Sequence, residues 1–597
     1  MIVKMKKITL FVQRDNRKSL IENLKDLGVL HINVLKSKAT EESKAIYNTL
    51  EKTEKVLRIL QSDSLKGKQE KNKKTDYEKL VDDILMLVQK KESLQKQLEE
   101  LQQKKQWFEN WGNISYSSLK ILESAGIFIR FYSLPVKQIK NIGKDQMIYS
   151  IKKEKGVACI ALFSFSSENK LEYKEEPVPE VEYRDLVQQI DTDIASINSI
   201  DQQILQLAHY KDGMIHIIRE LQKKYTFHTV LNSMQHFEEI SIIEGYCPVD
   251  NIPEIKRLSD KNKYAYIIKE PEDPSEVPTL IKTPKWVSLI KPLFQFMGTI
   301  PGYDEIDISA VFLLFFSLFY AMLIGDAGYG ILLVFMTLLI KKINKKTPKE
   351  FVRLMLVLSF STIIWGLITG TWFGSKYINK LPILSIFVID HLDSFKNESQ
   401  FFVMQLSFII GAIHLSIARI LSAFNKINSF AAIAEIAWIG VIWFLYFLSE
   451  FLVLRHTLPE WTILLIIICF IFIVLFENFQ KNILKGVLQT LSDLPLRIIS
   501  SFADLVSYIR LFAVGIATVI VAVSFNDLAF RFGLNNITSS IITVLILIVG
   551  HSLNIVLALV SVLVHGVRLN MLEFSNHVGL QWKGYSYKPF GVEERNH

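Results

Sequence analysis

The chain has 597 residues, 68 Lys and Arg against 60 Asp and Glu, and half of its residues are hydrophobic. That composition averages two unlike halves: residues 1–290 hold most of the charge, and residues 308–577 hold repeated apolar runs of a length that spans a bilayer. A net charge of +8 is compatible with a nucleic-acid partner, but much of the excess lies in KGKQEKNKK (66–74) and KKINKK (341–346), segments that read as solvated or membrane-flanking, and the three widely spaced cysteines imply no disulfide framework or zinc site.

The start, MIVKMKKITLFV, lacks the apolar length and small-residue cleavage site of a secretory signal, so the soluble half is expected in the cytoplasm. KKITLFVQ (6–13), NRKSLIENLKDLG (16–28) and VLHINV (29–34) read as strand, amphipathic helix and strand, a βαβ or split βαβ opening. From 41 to 112 the period becomes helical. Leu80, Ile84, Leu87, Leu94, Leu98, Leu101 and Phe108 form a heptad seam with Lys91 and Lys105 at the two skipped sites. Tyr183, Val187, Ile190, Ile194, Ile197, Ile204 and Ala208 repeat that spacing, which predicts an antiparallel coiled-coil hairpin over 41–112 and 178–225. Between its arms, GIFIRFYSL (126–134), MIYSIKK (147–153) and GVACIALFSFS (156–166) read as strands of a distal lobe, 113–177. Residues 240–270 supply strand, helix and strand to a proximal lobe made of 1–40 and 226–272. The arm carries no phosphate loop, HExxH or GxSxG, so no chemistry of its own is expected.

After a linker at 291–307, eight spans are expected near 308–325, 328–340, 352–372, 401–423, 430–454, 460–477, 498–524 and 540–573. The loops at 341–353, 419–427 and 478–498 carry eleven Lys and Arg against five in 376–400, 450–460 and 526–538, which puts the former, the arm and the tail 578–597 on the cytoplasmic side. The last two spans are too long to stand upright: 540–573 measures about 50 Å as one helix against about 30 Å of hydrocarbon. The fold class is therefore mostly α, a multi-span domain with a cytoplasmic α+β two-lobed arm.

Within SYIRLFAVGIATVIV (507–521) stands Arg510, a permanent cation at a depth where insertion costs about 2.5–3.5 kcal/mol. In SVLVHGVRLNMLEF (561–574), Arg568, His565 and Ser561 share a helical stripe with Asn554. His551 and His565 lie fourteen residues apart without a third ligand, which speaks against a metal. GDAGYG (325–330) reads as a tight turn rather than a phosphate site, and His414 as a packing histidine.

SYIRLFAVGIA (507–517), VHGVRLNMLEFSNHV (564–578), YKPF (587–590), GDAGYG, IIWGLITGTWFG (363–374), GAIHL (411–415) and PGYDEIDIS (301–309) together resemble the membrane stator subunit of V-type and A-type rotary ATPases, subunit a or I. The resemblance implies that Arg510 faces a rotor ring of small subunits, each with a carboxylate, and that Arg568 is an auxiliary charge. It implies a cytoplasmic half-channel near Ser507, Asp504 and Glu573, and an outer one near His551, Asn554, Ser561 and His565. Ala558 stands where eukaryotic members place a Glu ten residues before the second arginine. Peripheral-stalk subunits, a central-stalk adaptor and the lipid bilayer are the implied partners. No cofactor is implied, and H⁺ or Na⁺ is cargo. A bacterial plasma membrane fits the Lys- and Asn-rich composition. The competing reading is an independent secondary transporter with a coiled-coil sensor, which calls for inverted repeats; the charged pair is instead confined to the last two spans.

Overall fold

The computed structural model describes residues 1–32, 40–62, 76–139, 142, 146–154, 156–345, 347–379, 381–479, 483–533 and 536–591. The 66–74 run, Lys346, the end of the second strand at 33–34 and the last six residues of the tail lie outside them. The chain forms two compact units, one of residues Met1–Asn33 with Gln235–His597 and one of Val34–Met234.

The second unit pairs two long helices with a small sheet. Helices Glu41–Ser62, Tyr77–Trp111, Tyr183–Leu207 and Lys211–Ser233 carry it. Leu80, Val81 and Ile84 share a core with Ile200 and Ile204, and Trp107 and Phe108 share one with Leu186 and Ile190, so the two long helices run antiparallel. Two features depart from the heptad reading. Val56, Leu60 and Met214 enter the first of these cores, which makes it more than a two-helix seam. On the returning helix the buried positions are Leu186, Ile190, Asp193, Ile200 and Ile204, whereas Ile194 is exposed. Leu186 and Val187 are both apolar at adjacent positions of the repeat, so spacing alone did not select between them. Asp193 is tolerated there because Gln189 Nε2 donates to it at 2.8 Å. Lys91 meets Asp201 across the pair. Strands Phe128–Pro135, Met147–Glu154 and Val157–Ser164 form an antiparallel sheet with the last in the middle.

In the first unit, Met5–Gln13 alternates so as to bury Ile8, Leu10 and Val12 on one face, while Met5 is buried on the other with Tyr246 and Val277. Helix Arg17–Leu27 follows and ends at Gly28, whose φ of 63° lets its N–H reach the Leu24 carbonyl. Strand Ile240–Pro248 lies between Met5–Gln13 and His31–Ile32, antiparallel to both, so the opening is the split form of βαβ. Helix Ile252–Asn262 and edge strand Ala265–Lys269 complete the sheet. The tail returns to this lobe: Thr279 N–H donates to the Tyr585 carbonyl at 2.8 Å, Phe590 N–H to the Leu30 carbonyl at 2.9 Å, and Lys588 N–H to His31 Nδ1 at 3.0 Å.

The described part of the apolar region is mainly helical. Its helices, labelled in chain order, are α1 Ser309–Ile324, α2 Ala327–Ile343, α3 Lys349–Thr369, α4 Asn397–Asn425, α5 Ala431–Ser449, α6 Trp461–Phe476, α7 Ile483–Val506, α8 Ile509–Arg531 and α9 Ile537–Ser561. The last runs on helically to Val578, giving 42 residues, and Leu484–Arg531, across α7 and α8, gives 48. Against the eight spans expected, five helical stretches among the described residues are long and apolar enough to cross a membrane, six if the bent pair of α1 and α2 counts as one span. The difference has a local origin: α1 and α2 are 16 and 17 residues, each short of about 20, and bend by 117° at Gly325–Asp326, while α6 is also 16 residues. Apolar on all sides, α1 is buried over most of its surface, with Leu314 exposed. GDAGYG is the turn between α1 and α2: Gly325 takes φ 68°, and Asp326 caps α2 by accepting the Tyr329 N–H. Arg419 and Arg497, counted above with loops, lie inside α4 and α7, where Glu435 and Glu477 pair with them; those partners let the helices run through the charges.

Candidate functional site

The apolar helix is broken at Arg510. α7 stops at Val506 and α8 starts at Ile509, and across the gap Tyr508, Arg510 and Leu511 donate to carbonyls three residues back, a tightened turn. That turn points Arg510 Nε at the Ser507 carbonyl, 2.8 Å away. At the start of α8 the guanidinium also meets the positive end of the helix dipole, so both call for a carboxylate. Glu573 supplies it: Oε1 lies 2.6 Å from Arg510 Nη2, 3.6 Å from Arg568 Nε and 3.3 Å from Ser507 Oγ.

Two π-helical turns, Val562–Gly566 and Leu569–Phe574, carry the facing residues. A π turn takes more residues per revolution than an α turn, so residues after it are displaced around the axis. This corrects the single stripe read from spacing: Asn554 is buried, Ser561 and His565 are half-buried, and the Arg568 side chain is 55 % exposed. The same displacement turns Glu573, 4 % exposed, inward to Arg510, which is 21 % exposed. His565 lies in the field of both arginines, and its Nδ1 has no hydrogen-bond partner among the described residues; neither has Glu573 Oε2.

Asp504 is not part of this cluster. Its Oδ2 accepts from His577 Nε2 at 3.1 Å, and His577 Nδ1 accepts from Arg419 Nε at 3.1 Å, while Arg419 and Lys426 hold Glu435. His551 and Asn554 form a third group with Tyr329 and Asn526. His414 is packed, stacked between Phe315 and Phe574 with Nδ1 2.7 Å from Tyr508 Oη. Sequence reasoning missed Tyr329, Asn526, His577 and Glu435. The signal for Glu435, an acid in AAIAEIAW, was the one that singled out Arg510; a buried Tyr or Asn gives none.

The family model described as the V-type ATPase 116kDa subunit family matches residues 143–374. The V-type ATP synthase subunit I of Borreliella burgdorferi is 32 % identical over 99 % of both chains. Subunit I 1 of Treponema pallidum is 25 % identical over 99 % of this chain and all of its own length, and the A-type ATP synthase subunit I of Methanocaldococcus jannaschii is 26 % identical over 58 % of this chain and 54 % of its own. A crystal structure of the cytoplasmic N-terminal domain of subunit I, homolog of subunit a, of V-ATPase covers 44 % of this chain and 99 % of its own at 10 % identity and a TM-score of 0.24, too low to bear on the fold. On the full-length match at 32 % identity, the chain belongs to the subunit I family of V-type and A-type ATP synthases.

Proposed function

We propose that this chain is the static, non-catalytic membrane subunit that carries H⁺ or Na⁺ past a rotor ring, coupling its passage to ATP hydrolysis or synthesis on other subunits. The observation that carries the reading is the Arg510–Glu573–Arg568 cluster at a helix break, with one cation half-exposed and one carboxylate oxygen without a partner among the described residues. A fixed guanidinium favours the ionised form of any carboxylate brought to it, so a loaded rotor carboxylate arriving there gives up its ion. Arg510 keeps its charge throughout and repels a cation leaking straight across. Between arrivals Glu573 pairs with Arg510.

Ser507, Glu573 and Asp504 belong in this reading to the cytoplasmic half-channel, and His551, Asn554, Ser561 and His565 to the outer one. The same reading gives the chain eight spans in a bacterial plasma membrane, with the arm of 1–290 and both termini in the cytoplasm and the lobes meeting peripheral stalks and a central-stalk adaptor. Purification from the native membrane tests this: a ring of small carboxylate-bearing subunits copurifies and crosslinks to an Arg568→Cys variant. A chain that purifies alone and still transports ions contradicts it and favours the secondary transporter.

A further inference from the structure

Three helices and one turn meet at Tyr329, where the donors and acceptors fit in one direction only. Asn526 Oδ1 lies 3.1 Å from His551 Nε2, and a carboxamide oxygen only accepts, so Nε2 carries the hydrogen. In the neutral ring Nδ1 then has a lone pair, and its neighbour at 2.8 Å is Tyr329 Oη, which must donate. The same oxygen receives Asn554 Nδ2–H at 3.0 Å. The second hydrogen of that amide goes to the Thr518 carbonyl at 2.8 Å, and Asn526 Nδ2 donates to the Phe373 carbonyl at 2.6 Å. The chain Asn554, Tyr329, His551, Asn526, Phe373 thus runs from an amide N–H to a backbone oxygen.

We infer that Tyr329 is a positioning residue for ion translocation, acting through His551 by holding its imidazole as the Nε2–H tautomer turned to Asn526. The inference rests on the reading of His551 and Asn554 as part of the outer path, and it divides that path. A proton relay needs groups that can both give and take the moving proton, and a carboxamide N–H at one end with a backbone carbonyl at the other offers none. Tyr329, His551 and Asn554 therefore fix α9 against α8 and the Phe373 turn, and the contact with the ion falls to His565 and Ser561.

The test uses the assembled complex in vesicles, at matched assembly, with Tyr329→Phe, His551→Asn and the double variant. Tyr329→Phe slows ATP-driven ion uptake on the order of tenfold, as loss of two buried hydrogen bonds implies, and the double variant is no slower than His551→Asn alone. The second readout is the ¹⁵N spectrum of histidine-labelled complex, in which the His551→Asn difference spectrum picks His551 out of the 12 histidines. Wild type shows a bare Nδ1 and a protonated Nε2, and Tyr329→Phe loses that pattern. An unchanged pattern in Tyr329→Phe, uptake within about twofold of wild type, or effects that multiply in the double variant each overturn the inference. Arg510→Ala alongside separates the two layers: uptake that survives it sinks the translocation reading, whereas the tautomer result judges Tyr329 by itself.

Discussion

The cluster around Glu573 and the cluster around Tyr329 both draw on α8 and on α9 with its continuation, the second with Tyr329 itself on α2, and they are built in opposite ways. Around Glu573 there are two full cations, one carboxylate, a half-exposed guanidinium and an oxygen with no partner among the described residues. Around Tyr329 the groups are neutral apart from Asp326, which is saturated by the N–H groups of Tyr329, Phe373 and Gly374, and every bond has one direction. Unsatisfied charge is costly in a low dielectric, so it persists where something else completes it. A saturated network has nothing left to offer a passing ion and serves as the frame.

Removing charge from the first cluster gives the largest effects. Glu573→Ala strands Arg510 and Arg568 together and lowers stability by roughly 3 kcal/mol, with at least about a tenfold fall in uptake; thermal melting and vesicle uptake measure both. Bulk breaks the frame instead. A Cβ on Gly366 lies 2.1 Å from the Ala327 backbone nitrogen, beside the Asp326 cap, so Gly366→Ala costs roughly 1–3 kcal/mol of stability in the same melting assay. Arg568→Ala is milder, since its side chain is largely solvent-facing and 3.6 Å from Glu573: about 1 kcal/mol or less in stability and about a threefold loss of uptake.

The smallest effect lies outside both clusters, at the tail. Burial lowers the His31 pKa below the ordinary value of about 6.5, and Nδ1 accepts the Lys588 N–H only while unprotonated. A His with a lowered folded value gives stability that is complete above about pH 6.5 and is lost as pH falls through the folded value. Protease cleavage of the tail therefore accelerates on acidification below that point in wild type and stays level in His31→Gln, whose amide oxygen accepts at every pH.

The same division governs what the sequence disclosed. Strands Met5–Gln13 and Val157–Ser164 were legible because alternation is local, and the Gly28 stop because a left-handed residue needs a glycine. Arg510, Arg568 and Glu573 stood out because a charge in an apolar run is conspicuous. Their arrangement was not legible: two π turns rotate Arg568 outward and Glu573 inward, and no residue spacing announces a π turn. The frame was least visible of all, since Tyr329 and Asn526 differ from ordinary packing residues only through partners more than 20 residues away. The register of the returning arm helix failed for a related reason, two adjacent apolar choices and a buried Asp193 that a neighbouring Gln makes acceptable.

The central claim is that Arg510 separates two ion paths. Uptake of ions and hydrolysis of ATP, measured together in vesicles of the assembled complex for wild type, Arg510→Lys and Arg510→Ala, test it most directly. The account predicts that Arg510→Ala abolishes uptake with the complex still assembled, and that Arg510→Lys does not restore it, because an ammonium can lose its proton and cannot hold Glu573 and the Ser507 carbonyl in one plane. Uptake at the wild-type rate in an assembled Arg510→Ala complex would contradict it.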